Sequence, residues 1–562
     1  MEKKAREYME ALTNGYIILI LGVLPLYMKD GFNMIGDAKY LFFIRSALLL
    51  FCLSAAGAAV LLAVTQKKKN SIVGISGKSE AMKRSETQRS RQWSGTDSFV
   101  LLYGISTMLS YCFSEFRQEA LWGYADWHMG LMTQLLLVWS YFFISQFYKM
   151  EKFAWKVAGA VAFLVFLLGV LNRYSCDVIG TYREIDYWDW NRRHLLSTIG
   201  NINWYCGYVC LMCPLLLYLF WSRSGGPRML GGVGSFISFA TIFTQGSSSG
   251  FVGLGASMAV LLWASLKDQE KLKRFFQLFF MMSLMPPLLA WTSERFLPYE
   301  LKMPKYDLAC QLLFWKIWYV LIILAGLAVL FLHVWKKKGG RDFLKSGVWR
   351  RVYTITVTVI LLAGALFILL CQLSEGFWKL AGGLPELRIQ GEWGSGRGAL
   401  WKVSVQCFLQ GGWKQRLLGA GPDCFAGIIY KMFDMDQEVF MAGQWQGAIF
   451  ANAHNEWLNM LITGGILGAA AYAGIFICSF IKCRKRAEKQ PVLIAGMMMI
   501  AGYAANNFFG FQQAAVTPVM FVILGMLSAI VRLSPPQCSA KGDISACPAP
   551  IQSSYTNCRI NF

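Results

Sequence analysis

The residues best suited to chemistry lie in the segment 373–456 of this 562-residue chain. His454 stands near its end, and an imidazole with a near-neutral pKa suits proton abstraction from a hydroxyl. Arg397 belongs to the same segment, and a permanently charged guanidinium binds phosphate or diphosphate through two parallel hydrogen bonds. The pair predicts a base beside an anion-binding group. The alternatives are that His454 caps a helix at the membrane interface and that Arg397 forms an ion pair or contacts lipid headgroups.

A second group of candidate residues lies at and just after the C-terminal end of the connection 172–201. Arg192 and Arg193 are further candidates for an anion, although acidic residues of the same connection could pair with either one. Asn201 and Asn203 begin an apolar stretch, where Asn commonly caps a helix and could also bind a sugar hydroxyl.

The segment 373–456 also contains local structure signals. GRGALWKVSVQCFLQ has apolar residues at helical spacing, and LLGAGPDCFAGIIYKMF predicts a second short helix with Pro422 at its first position. Gly419 and Gly421 indicate a tight turn, or a nest of backbone amides for phosphate. Cys407 and Cys424 could form a disulfide. No metal site is apparent. The letters DMD at 434–436 match a nucleotide-sugar signature, which we do not assign.

The elements that must position these residues are membrane helices. The chain is 56% hydrophobic and 15% charged, with a mean hydropathy of +0.42, which is too apolar for an ordinary soluble domain. A spanning helix needs roughly 20 mostly apolar residues. We therefore predict an all-α polytopic membrane protein with about 14 transmembrane helices. They are expected near 12–28, 40–64, 97–113, 128–148, 153–172, 201–221, 229–245, 249–267, 274–292, 311–334, 352–372, 457–480, 491–508 and 514–532.

The net charge of +22 indicates membrane orientation and does not suggest nucleic acid, because Lys and Arg concentrate in short connections between apolar stretches. These connections are predicted to be cytoplasmic, together with both termini: 65–96, 222–228, 267–274, 336–351 and 482–489. The segment 373–456 then becomes one large extracytoplasmic loop containing short helices. The predicted parts are an N-terminal bundle (1–372), this loop (373–456), C-terminal transmembrane helices (457–532) and a disordered cytoplasmic tail (533–562).

Four stretches, in order, resemble the O-antigen ligase and polymerase superfamily of bacterial membrane glycan transferases. They are RRHLLSTIGNINWYCGYV, TQGSSSGFVGLG, GRGALWKVSVQCFLQGGWKQRLLGAGPDCF and ANAHNEWLNMLITGGILGAAAY. The last contains His454 and Asn455 as the His-Asn pair of the family. The second departs from the pattern, because many relatives carry Arg where this chain has Ser248, Ser249 and Gly250.

The resemblance implies a multi-pass protein of the bacterial cytoplasmic membrane that acts without cofactor or metal. The implied donor is an undecaprenyl-diphosphate-linked oligosaccharide or polysaccharide, transferred with inversion to a hydroxyl of a glycan, lipid or wall polymer. His454 and Arg397 would be catalytic. Substrate would contact Arg193, Arg192, Asn201, Asn203, Gly419, Gly421 and Asn455. The main alternative is a flippase or transporter of lipid-linked glycans, which should place charged or helix-breaking residues near the middle of several spans.

Overall fold

A computed structural model describes residues 2–72, 93–182, 195–296, 311–340, 342–344, 346–390, 393–394, 396–433 and 451–533. Arg192, Arg193, residues 434–436 and the predicted tail from 534 lie outside the described residues. The described part is almost entirely α-helical, as predicted. Its one sheet is a short antiparallel hairpin of two strands with two residues each, β1 (Leu195–Leu196) and β2 (Gly200–Asn201). A helix begins directly after β2.

The first half of the chain forms helices that follow the predicted apolar stretches closely. They are α1 (Glu2–Ile18, continued by a π turn, Leu19–Val23), α2 (Ile35–Ile72), α3 (Gly95–Phe113), α4 (Arg117–Trp122), α5 (Leu131–Phe147), α6 (Lys152–Arg173), α7 (Ile202–Ser222), α8 (Gly225–Thr244), α9 (Ser248–Ser265) and α10 (Gln269–Phe296). The second half adds α11 (Ile317–Lys337), α12 (Val348–Leu373), α13 (Glu375–Leu380), α14 (Arg397–Gln410), α15 (Trp413–Leu418), α16 (Phe425–Phe433), α17 (Glu456–Thr463), α18 (Gly465–Arg486), α19 (Leu493–Asn506) and α20 (Thr517–Leu533).

Eight helices in the described part are long and apolar enough to cross a membrane, and three shorter apolar helices accompany them. The expected number of about 14 is therefore not confirmed. One predicted span, 457–480, is divided into α17 and α18, because Gly465 adopts a left-handed φ of 65° between them. Between 373 and 456 the structure contains the short helices α13 to α16, of which α14 corresponds to the predicted amphipathic helix.

The centre of the bundle is built from α7, α19 and α20, whose residues are largely buried. Close approach depends on small residues: a Cβ at Gly253 would lie 2.2 Å from Cys210 Sγ, so α9 meets α7 with almost no space between them. Cys206, Cys210 and Cys213 are all buried there without a disulfide, so they act as small core residues.

The predicted Cys407–Cys424 disulfide is wrong, because both thiols are free and buried in different surroundings. Cys407 Sγ lies 3.3 Å from Met432 Sδ, whereas Cys424 Sγ lies 3.9 Å from Ser114 Oγ. The helix predicted to begin at Pro422 also differs, since α16 begins at Phe425.

Several of the basic connections meet at one end of the bundle. Lys267 and Arg350 both pair with Glu488, at 3.1 and 3.4 Å, and Lys336 pairs with Glu270 at 3.1 Å. Segments predicted to share one side of the membrane therefore share one end of the structure. Arg397 and His454 lie at the other end, beside the start of α7. Which end faces the cytoplasm stays a prediction.

Candidate functional site

Arg397 joins the start of α14 to the start of α7. It is the first residue of α14, after Gly396, whose φ of 88° turns the chain into the helix. Its Nη2 donates to Asn203 Oδ1 at 3.4 Å, across 194 residues of sequence, and its Cζ lies 5.9 Å from the centre of the Phe509 ring. The guanidinium is half-buried and sits between a polar and an aromatic neighbour.

The start of α7 is fixed by Asn201. Its Oδ1 accepts the backbone N–H of Asn203 at 2.8 Å, which caps the helix as the sequence predicted. The Asn203 side chain instead accepts a hydrogen bond from Arg397. Asn201 therefore caps the helix, whereas Asn203 orients the guanidinium.

His454 lies in the turn before α17 with a φ of 46°, a left-handed conformation that few non-glycine residues adopt. Its backbone N–H donates to Asn452 Oδ1 at 2.9 Å, which supports this turn. The ring meets Phe511 edge to face, with centroids 5.0 Å apart. Nδ1 is buried without a hydrogen-bond partner among the described residues, so the protein leaves one ring nitrogen unpaired.

Arg397 and His454 also interact electrostatically. Burial, and secondly the charge of Arg397, lower the pKa of His454 to about 3. The imidazole is therefore neutral at physiological pH and can accept a proton. The structure thus places Arg397 near enough to His454 for its charge to affect the ionisation of the imidazole.

Asn455 is a helix cap in this structure. Its Oδ1 accepts the backbone N–H groups of Trp457 at 3.0 Å and Leu458 at 3.2 Å, and the side chain is buried. This arrangement explains an asparagine directly after His454, because the cap starts α17 where the turn ends. A direct contact between Asn455 and substrate is not needed to explain the residue.

At Gly419 and Gly421 the backbone passes in close contact with the backbone at the end of α17. Gly419 has a φ of 82°, and a Cβ there would lie 2.2 Å from Thr463 O. The N–H of Gly421 donates to Thr463 O at 3.1 Å, and that of Gly419 to Gln415 O at 2.8 Å. These amides are engaged within the protein, so the geometry favours the turn and does not support a phosphate nest.

Arg173, at the end of α6, was not recognised in the sequence. Its Nη2 donates to Gln245 O at 2.6 Å, and a Cβ on Gly246 would lie 3.1 Å from the same nitrogen. Arg173 therefore reaches the Ser-rich hairpin between α8 and α9, where the arginine typical of the family is missing. Its position after an apolar stretch, on the side that the positive-inside rule disfavours, was the available signal.

Glu456 is the second residue that sequence reasoning missed. It is fully buried, its Oε2 accepts the N–H of Gln512 at 2.8 Å, and its own N–H donates to Asn507 O at 2.8 Å. The loop 507–512 is thus held at both ends. That loop carries Phe509, which faces Arg397, and Phe511, which faces His454.

A second carboxyl group, the half-buried Asp423, lines the same small cavity of about 30 Å³ as Glu456. Asp423 Oδ2 accepts the N–H groups of Tyr124 at 2.8 Å and Met129 at 2.9 Å, which explains its left-handed φ of 60° and the later start of α16. Burial raises the pKa of Asp423 to about 7 and that of Glu456 to about 8. Within the described residues, no group of three or more His, Cys, Asp or Glu could hold a metal ion.

Residues 316–473 match the family model described as O-antigen ligase. None of the curated proteins matches the chain. The matched region includes Arg397, His454 and the Gly419–Gly421 turn, whereas Arg173 and Asn203 lie before it. Residues 316–473 of this chain, whose described part contains several helices apolar enough to cross a membrane, are thus similar to the O-antigen ligase family.

Proposed function

We propose that the protein transfers an undecaprenyl-diphosphate-linked oligosaccharide or polysaccharide to an acceptor hydroxyl on the extracytoplasmic face of the membrane. The observation that carries the proposal is the proximity of Arg397 and His454 at the start of α7, within a chain of the O-antigen ligase superfamily. A cation for diphosphate and a neutral base for a hydroxyl are the two groups that this reaction requires.

In the proposed reaction the acceptor hydroxyl attacks the anomeric carbon of the donor, with inversion. The new carbon–oxygen bond forms as the bond from that carbon to the diphosphate oxygen breaks, and the proton of the hydroxyl passes to His454. Undecaprenyl diphosphate leaves with the electron pair. Its negative charge is stabilised by Arg397, so the chemistry as proposed is complete without a metal ion.

The low pKa of His454 fits this order of events. Burial, and secondly the charge of Arg397, disfavour a protonated imidazole in the unliganded protein. A diphosphate bound to Arg397 would cancel the second of these effects and raise the pKa of His454 in part. Binding of donor would therefore make the imidazole a stronger base.

Arg173 is proposed as a second cation for the diphosphate. It reaches the hairpin at Gly246 next to Ile202, the first residue of α7, whereas Arg397 contacts Asn203 of the same turn. Two arginines thus lie near one helix start, where the helix dipole also favours an anion. Arg192 and Arg193 remain proposed contacts of the donor.

The test is a deletion strain examined for lipid-linked glycan. We expect loss of glycan joining: single lipid-linked units without a length ladder would identify a polymerase, and full-length lipid-linked polymer would identify a ligase. A flippase would instead leave the lipid-linked glycan inaccessible from outside the cell.

Complementation with His454→Ala or Arg397→Ala should not restore joining. The matched controls are His333→Ala and Arg388→Ala, at positions away from the site. Restoration by both site variants, correctly inserted in the membrane, would refute the proposed chemistry.

A further inference from the structure

A large apolar cleft of about 800 Å³ lies between α6, α7 and α8, far from His454. We name it the tail cleft. It is lined by Trp155, Gly159, Leu164, Leu215, Leu219 and Val233, among other mainly apolar residues. Helices of a membrane bundle normally close such gaps by packing, so an open apolar volume of this size is available to a hydrocarbon chain.

Small residues keep the tail cleft open. Gly159 on α6 and Gly234 on α8 both line it. A Cβ at Gly159 would come no nearer than 3.8 Å to Leu215 Cδ2, so a larger side chain at this position would extend into open space. A larger side chain at Gly159 would therefore narrow the cleft.

The tail cleft adjoins a second cavity of about 610 Å³, which we name the basic chamber. The two share Tyr218, Arg223 and Val492 as lining residues. The basic side chains of the chamber are Arg223, Lys267, Lys271, Arg350 and Lys489, and its acidic ones are Asp268 and Glu488. Positive charge thus exceeds negative charge in the chamber, and Lys156 adds another cation to the tail cleft.

The chamber lies at the end of the bundle where the basic connections meet. Glu488 is engaged by Lys267 and Arg350, so it does not neutralise the other cations. Lys271 Nζ donates to Trp221 O at 3.2 Å and lies 4.5 Å from the centre of the Trp221 ring. A fixed ammonium beside an indole, at the depth of a helix end, is suited to a phosphate group at the membrane surface.

We propose that the tail cleft and the basic chamber together form a binding site for one anionic diacyl phospholipid, with an acyl chain in the cleft and the phosphate headgroup in the chamber. The apolar lining selects a hydrocarbon chain, and the surplus of positive charge selects an anionic headgroup over a zwitterionic one. The site lies at the opposite end of α7 from Arg397, so it is separate from the proposed glycan site.

Native mass spectrometry of the full-length protein in detergent tests this site. Phosphatidylglycerol is titrated against phosphatidylcholine with identical acyl chains. We expect phosphatidylglycerol to bind with the higher affinity. The double substitution Lys156→Gln with Lys489→Gln should weaken its binding by about tenfold or more, since each lysine near the surface contributes about one kcal/mol to attraction of an anionic lipid.

Two controls separate the parts of the site. Lys338→Gln removes an exposed charge at the same end, outside both cavities, and should change binding less than about twofold. Gly159→Leu should weaken binding by narrowing the tail cleft, whereas Gly255→Leu, on an exposed helix face with open space around it, should not.

Several outcomes would overturn the proposal. Equal binding of the two lipids would remove the headgroup assignment. Retained phosphatidylglycerol binding in Gly159→Leu would show that no acyl chain enters the cleft. Displacement of the lipid by millimolar inorganic phosphate would show a phosphate site alone, and tighter competitive binding of undecaprenyl phosphate would replace the diacyl lipid with a polyprenyl one.

Discussion

The carboxylate oxygen Oε2 of Glu456 accepts the backbone N–H of Gln512 at 2.8 Å. With the bond from the N–H of Glu456 to Asn507 O, this contact holds a loop whose Phe509 and Phe511 rings face Arg397 and His454. Glu456 thus holds in place the loop whose Phe511 ring the imidazole contacts. We infer that it is a positioning residue.

Glu456→Ala is expected to lower glycan transfer at least tenfold, whereas Glu456→Gln should stay within about threefold of wild type at pH 7. Alanine leaves the N–H of Gln512 without its acceptor in a buried place, which costs about 1–3 kcal/mol. Glutamine retains an acceptor oxygen and the size of a protonated glutamic acid. Transfer from lipid-linked donor by membranes of each variant is the measurement.

The control for this pair is Glu375→Ala, which removes an exposed carboxylate at the start of α13. It should leave transfer unchanged. Equal loss in Glu456→Ala and Glu456→Gln would mean that the ionised carboxylate itself acts in the reaction, and the positioning role would then be wrong.

Stability should fall as pH rises through the range in which the buried carboxyl groups ionise. Burial raises the pKa of Asp423 to about 7 and of Glu456 to about 8, above unfolded values near 4. The folded state therefore favours the protonated forms. This stabilisation is complete below the unfolded pKa values and is lost as pH increases through about 7 to 8.

The midpoint of thermal unfolding, followed by helical circular dichroism in detergent, should decrease between pH 6 and pH 9. Glu456→Gln cannot ionise at this position, so its midpoint should depend less on pH above 7. Identical pH dependence in wild type and Glu456→Gln would contradict the raised pKa of Glu456.

The sequence predicted most of what depends on local pattern. Apolar stretches located the helices, Asn201 was expected as a cap, and the proximity of Arg397 and His454 followed from their motifs and the topology. Apolar stretches did not lead to the number of spans in the same way. The stretch 457–480, for example, is divided into two helices because Gly465 adopts a left-handed conformation, which amino-acid composition does not reveal.

Contacts between distant segments were beyond sequence reasoning. Glu456 was missed because its partner, Gln512, is 56 residues later in the sequence. Asp423 takes its conformation from N–H groups about 300 residues earlier, at Tyr124 and Met129. The expected pairing of Cys407 with Cys424 failed for the same reason, since membership of one segment does not place two thiols together.

Gly419→Ala should destabilise the protein strongly. A Cβ at this position would lie 2.2 Å from Thr463 O, and the φ of 82° disfavours any side chain. We expect a loss of about 2–4 kcal/mol in unfolding free energy, which combines strain with displacement of the end of α17. The midpoint of thermal unfolding measures it.

Gly412→Ala provides the comparison for that substitution. Gly412 has a φ of −64° and nothing near the position of its Cβ, so alanine should be tolerated with little change in the midpoint. If the two variants unfolded at the same temperature, the close crossing at Gly419 would not be essential to the fold.

Arg173→Lys should lower transfer by about tenfold, because lysine keeps the charge but loses the planar fork that binds a diphosphate through two bonds. Arg117→Lys is the matched control: this exposed arginine also donates to backbone carbonyls, those of Tyr111 and Cys112. The apparent KM for the lipid-linked donor should rise in Arg173→Lys alone. An unchanged KM would exclude Arg173 from the donor site.

The rate of transfer by purified His454→Ala, with an excess of lipid-linked donor and acceptor, tests the central claim most directly. A general base contributes about 10²–10⁴-fold, so we predict a loss of at least a hundredfold relative to wild type, with unchanged thermal stability and normal activity in His333→Ala. If correctly folded His454→Ala transfers glycan at the wild-type rate, His454 is not the base and the proposed chemistry is contradicted.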